Sequence, residues 1–374
     1  MLTARQLNRA TLARQLLLAR EPLPVVAAVR RVVAVQAQEP ASPYIALWNR
    51  IAGFDAADLD AAYASHEVVK ATSVRITLHA VAADDYPSFH HAVVNLLRAS
   101  RLHDKRFKDT GMSIDDADAL VPDVLAFLAE PRTNAEVEAW LATRLGAPMP
   151  RAWWALRTYA PVVHAPVGTV WAHGPRPSYL AAPTPALTGD QAPSIQRLVR
   201  RYLEGFGPAS AKDIATFTFL RAPVVKAALN ALGDSLERVD GPGGSVLYDV
   251  PGAPLPDADT PAPPRLLAMW DSVLLAYADR DRVIAPEHRP VVIRRNGDVL
   301  ATVLVDGRVA GVWRPTDGGI EVTAFNPLDD DSWAGLAAEA AALVELLADR
   351  DPNVYKRYAH WWSTLPAGEV RILG

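Results

Sequence analysis

The 374 residues contain no cysteine; half are hydrophobic, 21% are charged, and the formal net charge is −4. Disulfides and thiolate zinc sites are therefore excluded, and the composition is that of a folded protein, not a disordered one. No apolar run approaches the roughly eighteen residues of a membrane span, and the first twenty residues alternate leucine with arginine instead of forming a signal core, so a cytoplasmic protein is expected. The charge is unevenly distributed: residues 1–38 hold six arginines against the single acid Glu21, while residues 328–351 are acidic. This sorting allows a basic face for nucleic acid, or simply solvated arginine-rich helices, and charge alone does not choose between them.

In chain order, the apolar spacing predicts helices at 3–19, 22–35 and 55–64, then strands within "VVKATSVRITLHAVA" (68–82). A second series follows: a helix over 115–130 interrupted by Pro122, a helix capped by Thr133, another over 151–159, and a strand-like "VVHAPVGTVWAHG" (162–174). The third series is the clearest. A helix over 195–207 ends on glycine, Ser210 caps a short helix through Thr216, a helix over 222–233 stops at Gly233, and "LERVDGPGGSVLYDV" (236–250) reads as two strands around a glycine-rich turn. Helix, turn, helix and β-wing in that order describe a winged helix-turn-helix. The expected fold is α+β, mainly α: three tandem winged helices at 1–110, 111–190 and 191–260, followed by a β-meander and closing helix at 261–374. Within that last region Asn296-Gly297 and Asp306-Gly307 are hairpin-turn dipeptides, and a final helix is expected over 332–348.

Most catalytic constellations are missing. There is no glycine-rich phosphate loop and no defensible Ser-His-Asp order; His90 and His91, adjacent on a helix, point apart and are expected at the surface, so no metal site is expected. The tryptophan pairs Trp153-Trp154 and Trp361-Trp362 are expected to be packing residues. What stands out is "VQAQEP": Gln36 and Gln38 at the end of an apolar run, with Pro40 expected to help end the helix beside them.

Together with "YIALWNRIAGF" (44–54), "VRITLHAV" (74–81), "FGPASAKDIATF" (206–217), "LLAYADRDRVIAPEHR" (274–289) and "NGDVLATVLVDGRVAGVWR" (296–314), this motif resembles the AlkZ-like winged-helix DNA glycosylases over nearly the whole chain. The resemblance implies a C-shaped stack of winged helices around duplex DNA, acting as a monomer without cofactor, metal or membrane. It implies a monofunctional glycosylase that hydrolyses the N-glycosidic bond of N7-alkylated guanine, including bulky adducts and interstrand crosslinks, in DNA repair or genotoxin self-resistance. Gln36 and Gln38 match the family's Gln-X-Gln catalytic signature. Arg75, Thr77 and His79 in the first strand pair, and Arg294, Arg295 and Asn296 at the Asn-Gly turn, are the expected DNA contacts, the turn having a shape suited to a minor groove. Ile76 departs from the pattern, which leads one to expect glycine there. A non-catalytic winged-helix transcriptional regulator is the alternative.

Two neutral amides suit this chemistry. N7 alkylation makes the base cationic, so it leaves neutral without a general acid. What remains is a sugar cation and a water to be oriented, which an amide can do without titrating.

Overall fold

The computed structural model describes all 374 residues, Met1–Gly374. Helices and antiparallel sheets alternate along the chain and close around two adjoining apolar cores. One core joins the first helices, including the wholly buried helix Ser42–Trp48, to the C-terminal sheet; the other gathers the central helices under the opposite side of the first sheet.

The first sheet has six strands in the order Val35–Gln36, Leu78–Ala82, Val68–Thr72, Val162–Ala165, Ser178–Ala181 and Arg132–Thr133. The strand pairs expected separately near 68–82 and 162–174 are thus one sheet, joined where Lys70 pairs with His164. The third series follows its expected order: helices Ala192–Phe206, Ala211–Thr218 and Ala222–Leu232, then the ribbon Glu237–Asp240 and Val246–Asp249. Ser210 and Thr133 both cap their helices through reciprocal bonds with the residue three positions on, which satisfies otherwise orphaned backbone amides.

The C-terminal sheet has five strands in the order Glu369–Leu373, Gly319–Ala324, Arg308–Thr316, Thr302–Val305 and Arg265–Leu267. Its central hairpin turns at Asp306-Gly307, with φ of 48° and 75°, the left-handed pair that a two-residue hairpin turn requires. A side chain at Gly307 would collide with Leu12, Asn8 and Arg9, so the turn packs tightly on the first helix, Ala4–Arg14. The last helix, Asp330–Ala348, does not close the chain as expected: a stretch of 3₁₀ turns, Lys356–Thr364, and the strand Glu369–Leu373 follow it, and that strand forms a sheet edge.

The N-terminal arginines do not form a free basic face. Arg5 and Arg9 pair with Asp306, Arg14 with Asp249, Arg20 with Glu339 and Arg30 with Asp84, leaving Arg31 of the six without a carboxylate. These pairs tie the first helices to distant parts of the chain. The most deeply buried pair is Arg50 with Asp271, joined by two 2.8 Å bonds between the first helical unit and the segment that connects two strands of the C-terminal sheet. Replacing Asp271 by alanine strands the Arg50 guanidinium in the core. The expected loss is about 3–5 kcal/mol of unfolding free energy, read as a lowered denaturation midpoint at unchanged slope.

Candidate functional site

The helix carrying the apolar run before the glutamines, Val25–Val32, stops three residues short of Gln36. Val33 takes a φ of 74°, which no helix tolerates, and the chain then runs extended as the strand Val35–Gln36. The stop is therefore made at Val33, and Pro40 has no part in it. Gln36 pairs in register with His79, and the Ala37 amide donates to the Leu78 carbonyl at 2.9 Å.

The two glutamines occupy different environments. Gln36 is buried, and its Oε1 accepts a 2.9 Å bond from Nη2 of Arg75. The same nitrogen lies 3.1 Å from Nε2 of His79, and the Arg75 guanidinium stacks on the Phe217 ring with its carbon 4.9 Å from the centroid. Burial lowers the Arg75 pKa to about 10. His79 is fully buried, and burial followed by the Arg75 charge holds it neutral, well below the ordinary histidine range. His79, expected among the DNA contacts, is thus enclosed by protein in this structure, and Arg75 turns its guanidinium to Gln36, His79 and Phe217. Both Arg75 and Ile76 adopt left-handed φ, 55° and 59°. The backbone at Ile76 is one that glycine would adopt freely, and a β-branched residue holds it under strain.

Gln38 is exposed and lies where two clefts meet. The larger, of about 580 Å³, is lined by Gln38, Glu39, Lys70, His164, Trp171 and Arg357 among others. The smaller, of about 300 Å³, runs past Ile76 and Thr77 to Arg101, Trp154 and Arg157. A third, of about 670 Å³, shares Trp154, Arg157 and Pro177 and continues to Arg151 and Arg176. Arg101 and Arg157 bond neutral partners only: Thr158, and Asn134 with Tyr179. The guanidiniums of Arg101 and Arg106 both lie over the Trp154 ring, at 4.6 and 4.4 Å, whereas Trp153 is buried as packing. Gln38 and Thr77 thus face a groove rich in cations that lack carboxylate partners, which suits a polyanion.

On the other side of Gln38 stands Glu39. Its Oε1 accepts a 2.8 Å bond from the Tyr358 hydroxyl and pairs with Arg357, while Oε2 has no protein partner. Burial raises its pKa despite these partners. Lys70, on the strand Val68–Thr72, is buried, and desolvation lowers its amine to about 8. Sequence reading missed Lys70, though the signal was present: one charge in the otherwise apolar "VVKA".

Arg294, Arg295 and Asn296 lie on a tight hairpin closed by the bridge between Ile293 and Val299 and do not line the clefts that Gln38 lines. Arg295 and Asn296 are exposed at its tip, and Arg294 stacks on Trp361 at 4.8 Å. His90 and His91 are buried, not at the surface: His90 bonds the Tyr159 carbonyl and His91 the Ser194 hydroxyl, an outcome of the long helix Tyr86–Leu102 packing on both sides.

An extended motif opening onto a cation-lined groove, in an α+β chain, is the design of a nucleic-acid-directed protein. Residues 29–346 match the family described as DNA glycosylase AlkZ-like, and the chain belongs to that family. It is 32% identical over 163 residues to an interstrand DNA cross-link repair glycosylase of Streptomyces sahachiroi, a match spanning 42% of this chain and 40% of that relative. The solved structure of the Streptomyces sahachiroi DNA glycosylase AlkZ superposes with a TM-score of 0.78, at 22% identity, over 92% of this chain and 96% of that one. That likeness establishes a shared fold.

The depressed Lys70 amine has a consequence for stability. A folded-state value of about 8 against an ordinary 10.5 gives stability that is complete above pH 10.5 and lost as pH falls through 8. Lys70→Met removes this term. Its unfolding free energy at pH 7 is expected to exceed that of the parent by about 3 kcal/mol, with the gain shrinking between pH 8 and 10.5 in a denaturant titration series.

Proposed function

We propose that the chain is a DNA glycosylase that hydrolyses the N-glycosidic bond of N7-alkylated guanine in duplex DNA, bulky adducts and interstrand crosslinks included. The observation that carries this reading is Gln38, exposed on an extended segment at the junction of cation-lined clefts, in a chain of the AlkZ-like family. The similarity to a cross-link repair glycosylase supports the substrate class. The three helix-and-strand series are read as winged helices disposed around the duplex, and the protein as a cytoplasmic monomer. No helix is long and apolar enough to cross a membrane.

In this reading the DNA backbone lies along Arg101, Arg157, Arg151 and Arg176, with Thr77 beside the lesion. The exposed turn of Arg295 and Asn296, braced by Arg294 on Trp361, enters a groove of the duplex. The alkylated base carries its own positive charge and departs neutral. The Gln38 amide oxygen orients the water that captures the sugar cation, and its neutrality keeps it in one form across the physiological range. Gln36 acts as a positioning residue: its bond to Arg75 fixes the strand from which Gln38 projects. Rate acceleration then rests on preorganised dipoles instead of a strong base.

The test is release of modified base from a duplex with a single N7-methylguanine. Removing one preorganised amide should cost on the order of 2–4 kcal/mol, so Gln38→Ala should slow release by roughly 30- to 1,000-fold, and the Gln36→Ala, Gln38→Ala double variant should bind DNA without turnover. An equally large loss in Glu39→Gln would transfer water activation to Glu39. Tight DNA binding with no release by the parent protein, across small and bulky adducts, would indicate a regulator.

A further inference from the structure

The hairpin at residues 294–298 and the segment carrying Gln38 are far apart in sequence, and the stretch of 3₁₀ turns Lys356–Thr364 holds both. In 3₁₀ geometry side chains three positions apart eclipse, about 6 Å apart along the axis, so Tyr358 and Trp361 project from one face. Tyr358 is buried, and its hydroxyl donates to Oε1 of Glu39, the residue after Gln38, at 2.8 Å. Trp361 donates through Nε1 to Oδ2 of Asp298 at 2.8 Å, and the same oxygen accepts a 2.9 Å bond from the Asn296 amide at the hairpin tip. Trp270 makes a second connection. Its Nε1 donates to the Gly297 carbonyl at 2.9 Å, its backbone amide donates to the Val299 carbonyl at 3.2 Å, and its ring meets that of Tyr358 edge to face, with centroids 5.4 Å apart. Two routes of bonds and ring contacts thus run from the hairpin to Glu39, and both pass through Tyr358.

The stretch is itself anchored. Tyr355, just before it, is buried, and its hydroxyl bonds the Ser42 hydroxyl at 2.9 Å and accepts from the Met269 amide at 3.3 Å. A surface strap would flex between its two ends, whereas this one is pinned to the core beside Trp270.

We propose that Tyr358, Trp270 and Trp361 form a clasp that fixes the span between the hairpin in a groove of the duplex and Gln38 at the lesion, which makes them positioning residues for base release. The inference rests on the glycosylase reading and adds to it a set of residues that touch neither base nor sugar. A duplex docked on the hairpin tip presents its lesion to Gln38 in one register, and binding at the tip contributes to the rate through the clasp. Arg357 also pairs with Glu39, but its side chain is 67% exposed and solvent screens it. Tyr358 makes the buried contact.

The experiment measures base release from N7-methylguanine duplex in single turnover, with the full chain in saturating excess so that the rate constant does not depend on the folded fraction. Tyr358→Phe keeps the ring against Trp270 and removes the donor to Glu39. Arg295→Ala removes an exposed cation from the hairpin tip and leaves the clasp intact. Each is expected to slow release roughly three- to thirtyfold, with DNA affinity unchanged in Tyr358→Phe. The pair is expected to be no slower than the slower single variant, because a broken clasp no longer transmits what the hairpin contributes. Trp361→Phe, which keeps a ring beneath Arg294 but cannot donate to Asp298, is expected to reproduce Tyr358→Phe in the same cycle. Losses that multiply in the pair overturn the clasp, as does release at the parental rate by either single variant; in both cases release by the parent leaves the glycosylase reading standing. No release by the parent overturns the reading and the clasp together.

Discussion

The structure depends on a short stretch of extended backbone held between two apolar cores. Val33 and Ala34 pack into the central core, while Val35 and Ala37 pack into the one shared with the C-terminal sheet. A helix could not serve both, because its stripe faces one way, so the chain leaves helical geometry at Val33 and pairs Val35 and Gln36 with Ala80 and His79. Everything proposed for the site follows from that. The backbone is fixed by core packing on both sides, and the first residue free of both cores, Gln38, projects from a rigid support instead of a loose loop.

Charge follows a similar division of labour. The arginines that dominate the N-terminal composition are engaged by acids far along the chain, and two such pairs, Arg14 with Asp249 and Arg50 with Asp271, are buried. They join segments over two hundred residues apart. The cations left without carboxylates around the clefts come from other elements: Arg101 from the long helix after the first strands, Arg151 and Arg157 from a helix of the second series, and Arg176 from the loop before its last strand. Composition by segment therefore misplaces the basic surface, since net charge counts paired and unpaired arginines alike.

Local chemistry was legible where it acts locally. Thr133 and Ser210 cap helices as the sequence implies, Pro122 falls inside the first turn of a new helix, and Asp306-Gly307 makes the expected hairpin. Long-range consequences were not. The joining of two strand pairs into one sheet rests on the single pairing of Lys70 with His164, and nothing local marks it. The helix stop at Val33 was hidden because a β-branched residue is a poor bearer of positive φ, so attention fell on Pro40, a breaker that lies too late. The two glutamines were legible as a motif but not as a buried and an exposed residue, because burial depends on which core each neighbour joins. Lys70 escaped notice for the opposite reason: a lone charge in an apolar strand acquires meaning only once the cleft beside it is known.

The strained turn at Arg75 and Ile76 shows how this support is stiffened. Two consecutive residues with left-handed φ cost on the order of 1–3 kcal/mol each, and such a turn persists only if its surroundings over-determine it. Here they do. The turn connects two strands of the first sheet, Ser73 donates its amide to the Thr77 carbonyl at 3.0 Å, and the Arg75 side chain is caught between Gln36, His79 and Phe217. Glycine at position 76 would adopt the same backbone without strain but would leave the chain free to adopt others. Isoleucine cannot relax so readily, and it contributes apolar surface to the cleft that Gln38 and Thr77 share. Isoleucine at position 76 thus gives up backbone freedom and adds an apolar wall to the cleft that Gln38 lines.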